Sequence, residues 1–224
     1  MADTKEPAGR SASDIFGGGA KPRDTRERIL FAAIDLFYVH GIHDVGVDLV
    51  LDTAGVTKTT FYNHFESRDH LILAALALKD EWEGDLVQKR MREIAGYDPR
   101  ALLVGYFDVL DEFFNHPKYQ GCLFVLACAQ YPSPKHPIHR AAAKSFTGAE
   151  EMLQGLAKAA GVRDPVTFGS TCTMLLEGAL TRRLVSGDNG AARAARGMVE
   201  RMLSAELGAA AAGTGGPERA AQPT

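Results

Sequence analysis

From Thr57 to His64 the chain reads Thr-Lys-Thr-Thr-Phe-Tyr-Asn-His. The stretch mixes hydroxyls, an ammonium, a carboxamide and an imidazole, and it holds no carboxylate. Wound as a helix with Phe61 and Phe65 turned inward, it presents Thr57, Lys58, Thr59, Thr60, Tyr62, Asn63 and His64 outward. Those groups suit a DNA duplex. Short hydroxyls and a lysine near a helix N-terminus reach phosphates, an asparagine makes paired hydrogen bonds to an adenine edge, and a tyrosine donates to a phosphate or touches a thymine methyl. The competing account is a solvated helix in an ordinary bundle, which needs no such combination of turn, cap and charge.

The remaining candidates for chemistry are weaker. His136 and His139 flank Pro137 within Tyr131-Pro-Ser-Pro-Lys-His-Pro, with no cysteine or carboxylate close by in sequence, so an inter-helix loop is expected there and no metal site. No GxSxG, P-loop or HExxH occurs, and Gly17 to Gly19 before Lys21 follows no strand and reads as a linker. Neither a catalytic residue nor a cofactor is expected, and an enzyme reading rests only on an apolar interior. Cys122, Cys128 and Cys172 form no CxxC, which argues against a disulfide framework or structural zinc and fits a reducing cytoplasm. Cys122 and Cys128, six apart, cannot face each other on one helix; a thiol sensor pairing one of them with Cys172 stands against three small buried hydrophobes.

The elements that must position the Thr57–His64 face are helical. Val47, Val50, Leu51, Ala54, Val56, Phe61 and Phe65 supply an inward face for two short helices joined at Ala54-Gly55-Val56. There Gly55 takes the positive φ of a tight turn and Thr57 caps the second helix. Apolar residues recur at helical spacing elsewhere, as in Ile29, Ala33, Leu36 and Phe37, and no strand-like alternation is found, so the expected fold is all-α. Helices are expected over 24–40, 47–53, 57–64, 67–95, 99–115, 120–130, 138–160, 165–186 and 190–207. Asp98-Pro99 and Asp164-Pro165 open two of them, and Gly41, Gly96, Gly161 and Gly187 close others. Helix 99–115 carries apolar residues on two adjacent stripes and should be buried over much of its circumference. The ends, 1–22 and 208–224, lack apolar periodicity and read as mobile tails. With a formal charge of −3 over 224 residues there is no global basic field, so nucleic acid must be met by a local patch. The best apolar run, Gly121 to Ala129, is far too short for a membrane span.

Thr25-Arg-Glu-Arg-Ile-Leu-Phe-Ala-Ala33, followed by Ala54-Gly-Val-Thr-Lys-Thr-Thr-Phe-Tyr-Asn-His-Phe-Glu-Ser-Arg-Asp-His-Leu71, resembles the tetracycline-repressor (TetR) family. The resemblance implies a DNA-binding domain over 23–83, with its helix-turn-helix at 46–65, and a ligand-binding and dimerisation bundle over 84–207. It implies a homodimer on a palindromic operator, released by a small apolar or aromatic ligand. Carried over residue by residue, Thr60, Tyr62 and His64 serve phosphates, Lys58, Thr59 and Asn63 face the major groove, and Arg26 approaches the backbone. Two positions depart from the family pattern. Gly46 stands where a Ser or Thr usually opens the first helix of the pair, leaving only a backbone N–H for phosphate, and Thr59 stands where Gly is usual. In the bundle, Tyr106, Phe107, Phe113 and Phe114, with Phe124, Cys128 and Tyr131, either line a cavity or fill a solid core, and the resemblance favours the cavity. The last two helices are expected to form the dimer interface through Met174, Leu175, Gly178, Ala179, Ala191, Ala195, Met198 and Met202.

Overall fold

The computed structural model describes residues 12–18 and 20–213, and among them every regular element is a helix. After a short α1 (Ala12–Phe16), α2 (Thr25–His40), α3 (Val47–Ala54) and α4 (Lys58–His64) form a small N-terminal group. There follow α5 (Arg68–Ala95), α6 (Pro99–Asn115), α7 (Leu123–Gln130), α8 (Pro137–Ala159), α9 (Pro165–Ser186) and α10 (Ala191–Gly213). The punctuation is chemical. Asp98 accepts from the Arg100 and Ala101 N–H groups and Asp164 from that of Thr167, each with proline in the first turn. Gly41, Gly96, Gly161 and Gly187, expected as stops, all have positive φ.

The 28 residues of α5, about 42 Å long at 1.5 Å per residue, link the two parts of the molecule. Its first turns bury Leu71, Ile72, Ala75 and Leu76, and the helix packs against α2, α6 and α8. Helix α6 sits centrally, with Leu103, Gly105, Phe107, Val109, Leu110, Phe113 and Phe114 buried. α8 and α9 pack closely enough that a Cβ on Gly169 would fall 2.7 Å from the Gln154 backbone nitrogen, so this crossing requires glycine.

The expected mobile tail over 1–22 is corrected at 12–16. These residues form α1, and Ala12, Ile15 and Phe16 are buried. Phe16 meets Tyr38 of α2 and Phe113 of α6 edge to face, at 5.9 and 5.3 Å between ring centroids. Asp35 of α2 accepts from Ser13, and Lys118 pairs with Asp14 at 2.6 Å. A five-residue helix offers no periodicity to read; long-range contacts hold it. Likewise α10 continues past 207 to Gly213. The rest of the expected tails, 1–11, Gly19 and 214–224, lies outside the described residues. The seventh helix starts at Leu123 instead of 120, because Gly121 at φ 134° breaks the chain direction and Cys122 becomes the residue before the first turn.

Candidate nucleic-acid interface and the cavity behind it

The inward residues of α3 and α4 form the expected core. Val50, Leu51, Ala54, Phe61 and Phe65 are buried, with Val47 and Val56 packed at its edge. Gly55 has φ 62°, and the Leu51 carbonyl accepts from the N–H groups of Gly55 and Val56. This left-handed closure turns the chain sharply into α4, and only glycine adopts it without strain. Thr57 then caps α4: its hydroxyl accepts from the Thr60 N–H at 3.2 Å and lies 2.9 Å from the Thr60 hydroxyl. With Phe61 and Phe65 anchored, Thr57, Lys58, Thr59, Tyr62 and Asn63 are exposed, Tyr62 at 53%, while Thr60 and His64 are half-buried. Lys58 makes no ion pair among the described residues. The carboxylates of the motif, Asp48 and Asp52, lie on α3.

Arg26, at the start of α2, is brought to α4 by the fold. Its guanidinium stacks 5.2 Å from the Phe65 ring centroid and forms no ion pair among the described residues. Gly46 is the N-cap of α3 and makes no side-chain cap bond. Its φ of −80° suits any residue, and a Cβ there would meet nothing within 4 Å. Glycine at this position is therefore not demanded by the fold.

Arg68, not singled out in the sequence, fastens this unit to the bundle. Its guanidinium donates to the carbonyls of Val45 (3.0 Å) and Ile42, and to the Tyr131 hydroxyl at 3.4 Å. Gln130, at the end of α7, accepts from the Ile42 and His43 N–H groups at 2.9 and 3.2 Å. The Tyr131 ring lies between those of His43 and His136, at 4.8 and 4.7 Å. The hydrogen-bonded partners are 23 to 88 positions apart, so nothing local in the sequence pointed to the clasp. Tyr131, expected at a ligand, belongs to this joint.

The bundle does hold a cavity. A space of about 290 Å³ opens among α5, α6 and α8, with a recess of about 40 Å³ reaching toward α7 and α9. Of the aromatic and thiol residues expected to line it, Tyr106 and Phe124 do, as does Phe113. Phe107 and Phe114 are corrected to solid core, since both are fully buried and border neither space. Cys128 is also absent from the lining, with its Sγ 3.9 Å from the His139 carbonyl. Missed by the sequence were Asp80 and Glu83 of α5, Cys122 and Ser145. Burial pushes the Cys122 thiol up to about 11 and that of Cys172 to about 12, which keeps both protonated near neutral pH and unreactive as nucleophiles.

On the far side of the bundle, Met174 (63% exposed), Gly178 and Val185 (76%) share a face of α9, and Met198 (41%) lies on α10. Leu175 and Met202 are half-buried. Ala179, Ala191 and Ala195 are corrected: they are buried within their own protomer, beneath this surface. No group of His, Cys, Asp and Glu among the described residues can hold a metal ion. His136 instead caps α8 by accepting from the Ile138 N–H, and His139 bonds the Tyr131 carbonyl at 2.7 Å. No described helix is long and apolar enough to cross a membrane.

A short helix with a polar outer face, seated on a left-handed glycine turn and followed by a larger helical bundle, defines a DNA-binding regulatory protein. Residues 29–75 match the sequence profile of bacterial regulatory proteins of the tetR family. The HTH-type transcriptional regulator YjdC of Escherichia coli (strain K12) is 25% identical over 175 residues, which are 78% of this chain and 91% of that protein. A TetR-family transcriptional regulator from Streptomyces coelicolor superposes with a TM-score of 0.72 at 29% identity, covering 81% of this chain and 95% of that one. The transcriptional repressor NemR of E. coli (strain K12) is 26% identical over 130 residues, 58% of this chain and 65% of that protein. Residues 29–75 thus form a tetR-type DNA-binding segment, and over most of its length the chain is similar to TetR-family DNA-binding transcriptional regulators.

Proposed function

We propose that the protein is a homodimeric repressor which grips a palindromic operator through residues 46–65 and lets go when a small apolar or aromatic ligand fills the bundle cavity. The observation that carries the reading is the outer face of α4: exposed, free of carboxylate, and fixed from behind by Phe61 and Phe65. Lys58, Thr59 and Asn63 enter the major groove, Thr57, Thr60, Tyr62 and His64 meet phosphates, and Arg26 and the Gly46 N–H reach the flanking backbone. The DNA-binding domain spans 23–83 and the bundle 84–207. Working on the chromosome places the protein in the cytoplasm.

Two copies meet through Met174, Gly178, Val185 and Met198, an apolar strip that a lone protomer leaves in water. Their recognition helices then address half-sites about 34–36 Å apart. Ligand binding reaches them by two routes. The cavity is walled by α5, which begins just after the recognition helix and carries Arg68, and its recess touches Phe124 of α7, whose end holds the 42–43 backbone through Gln130. A shift in either helix changes the half-site spacing, at a coupling of about 1–3 kcal/mol.

Selection of random duplexes with the purified protein tests the reading. A two-fold symmetric site should be enriched, bound with a steep salt dependence. Enrichment of no duplex would overturn it.

A further inference from the structure

The polar lining of the cavity has one sign. Asp80 and Glu83 both border it, and no lysine, arginine or histidine does. The basic residue nearest in sequence, Lys79, is only 1% exposed. Its ammonium is held 3.9 Å from the Phe16 ring centroid and 4.7 Å from that of Phe124, and it pairs with Oε2 of Glu83. Turning it into the cavity would forfeit all of these contacts, so it is no receptor for an anion. It steadies Glu83 from behind while Oε1 accepts no hydrogen bond among the described residues. Asp80 has no ion pair among them either. Two further groups wait unpaired at the same wall: the Tyr106 hydroxyl, whose pKa burial raises, and the Ser145 hydroxyl, neither of which joins a hydrogen bond within the described residues. The Cys122 thiol stays neutral, and Phe113, Phe124 and Phe146 complete the lining with aromatic faces.

An anionic ligand would face the unpaired Asp80 carboxylate and a Glu83 whose one basic partner, Lys79, is already engaged behind it, and a wholly apolar one would leave Asp80 without a partner. A protonated amine on an aromatic body satisfies both sides at once, since its N–H groups donate to carboxylate and hydroxyl while its apolar part packs on the rings. We infer that the effector is a lipophilic cation, held by Glu83 and Asp80 through its ammonium and by the aromatic recess through its body. The inference rests on the cavity being the effector site.

The test compares three probes of one shape by calorimetry on the full-length protein: 1-naphthylmethylamine, 1-naphthylmethanol and 1-naphthylacetate. The amine should bind about tenfold or more tightly than the alcohol, a difference of about 1.4 kcal/mol, and the carboxylate more weakly than either. Glu83→Gln and Asp80→Asn should each remove most of that preference of the amine over the alcohol. Asp80→Asn also leaves the Lys79–Glu83 pair intact, so a loss there is not a folding defect. Equal affinities, a preference for the carboxylate, binding of none of the three, or a preference that survives both substitutions would overturn the inference. Operator binding followed in parallel separates the two readings. Release by the alcohol or the carboxylate with no binding of the amine overturns the cationic assignment alone. Binding of the amine that depends on Glu83 and Asp80 but leaves operator affinity unchanged supports that assignment and overturns the induction reading.

Discussion

The recognition helix and the bundle cavity use aromatic residues in opposite ways. On α4, Phe61 and Phe65 are buried so that the polar groups between them face water. In the bundle, Phe113, Phe124 and Phe146 border the cavity itself, and the polar groups beside them are few. The first arrangement is specified within about two helical turns, because side-chain direction follows from spacing alone. The second exists only after five helices have packed, and its lining runs from Asp80 to Leu180. An outer face is thus written locally, whereas a cavity is the remainder left by a tertiary arrangement.

The sharpest way to break this comparison is to remove the anchor of the outer face. Phe61→Ala should destabilise the N-terminal unit by about 3–5 kcal/mol and abolish operator binding, while the cavity keeps its ligand affinity. Thermal melts and ligand titration on the same sample would check both halves. Loss of ligand affinity in a still-folded bundle would mean that the two regions are not separately specified.

Next in size is the proposed dimer surface. Met174→Glu puts two like charges across the two-fold axis, which should give a monomer of 24.1 kDa by light scattering with an unchanged helical spectrum. A dimer that persists would point to another interface. Ala179→Glu is a poor substitute, since Ala179 is buried and the change would report on unfolding.

That contrast marks what the sequence could disclose. The turn at Gly55, the Thr57 cap, the inward phenylalanines and the proline-opened helices were all legible, because each depends on neighbours within a few positions. Phe107 and Phe114 were misplaced because adjacent apolar stripes on α6 do not reveal which one meets a void. Ala179 and Ala195 were misplaced because small residues occur both on a close-packed inner face and on an outer one. Asp80 and Glu83 read as solvent-facing charges on a long helix until α6 and α8 pack beside it and leave a space there. The clasp of Arg68, Gln130 and Tyr131 and the docking of α1 involve partners far apart in the chain, for which no pattern exists.

Substitutions on α4 sharpen the account of the outer face. Asn63→Ala should cost about 1–3 kcal/mol at particular base pairs and relax preference there. Lys58→Ala should weaken all duplexes alike and lower the salt slope by about one unit. Binding measured over a salt series on matched and mismatched sites distinguishes them; identical behaviour would show that α4 does not lie in the groove as proposed.

The smallest effect is expected at Gly46. Serine fits there without contact, and its hydroxyl can cap α3 and reach a phosphate, so Gly46→Ser should stabilise the fold by a few tenths of a kcal/mol and tighten operator binding slightly. Weaker binding would mean that the DNA backbone approaches too closely for any side chain.

Coupling between the outer face and the cavity is the central claim, and reciprocal linkage tests it most directly. A compound that releases the selected operator would be titrated by calorimetry into the free protein and into the operator-bound protein. The account predicts that the operator weakens the compound's affinity by about 5- to 150-fold, the same factor by which the compound weakens the operator's. Equal affinity in the two titrations would contradict it, however tight the binding.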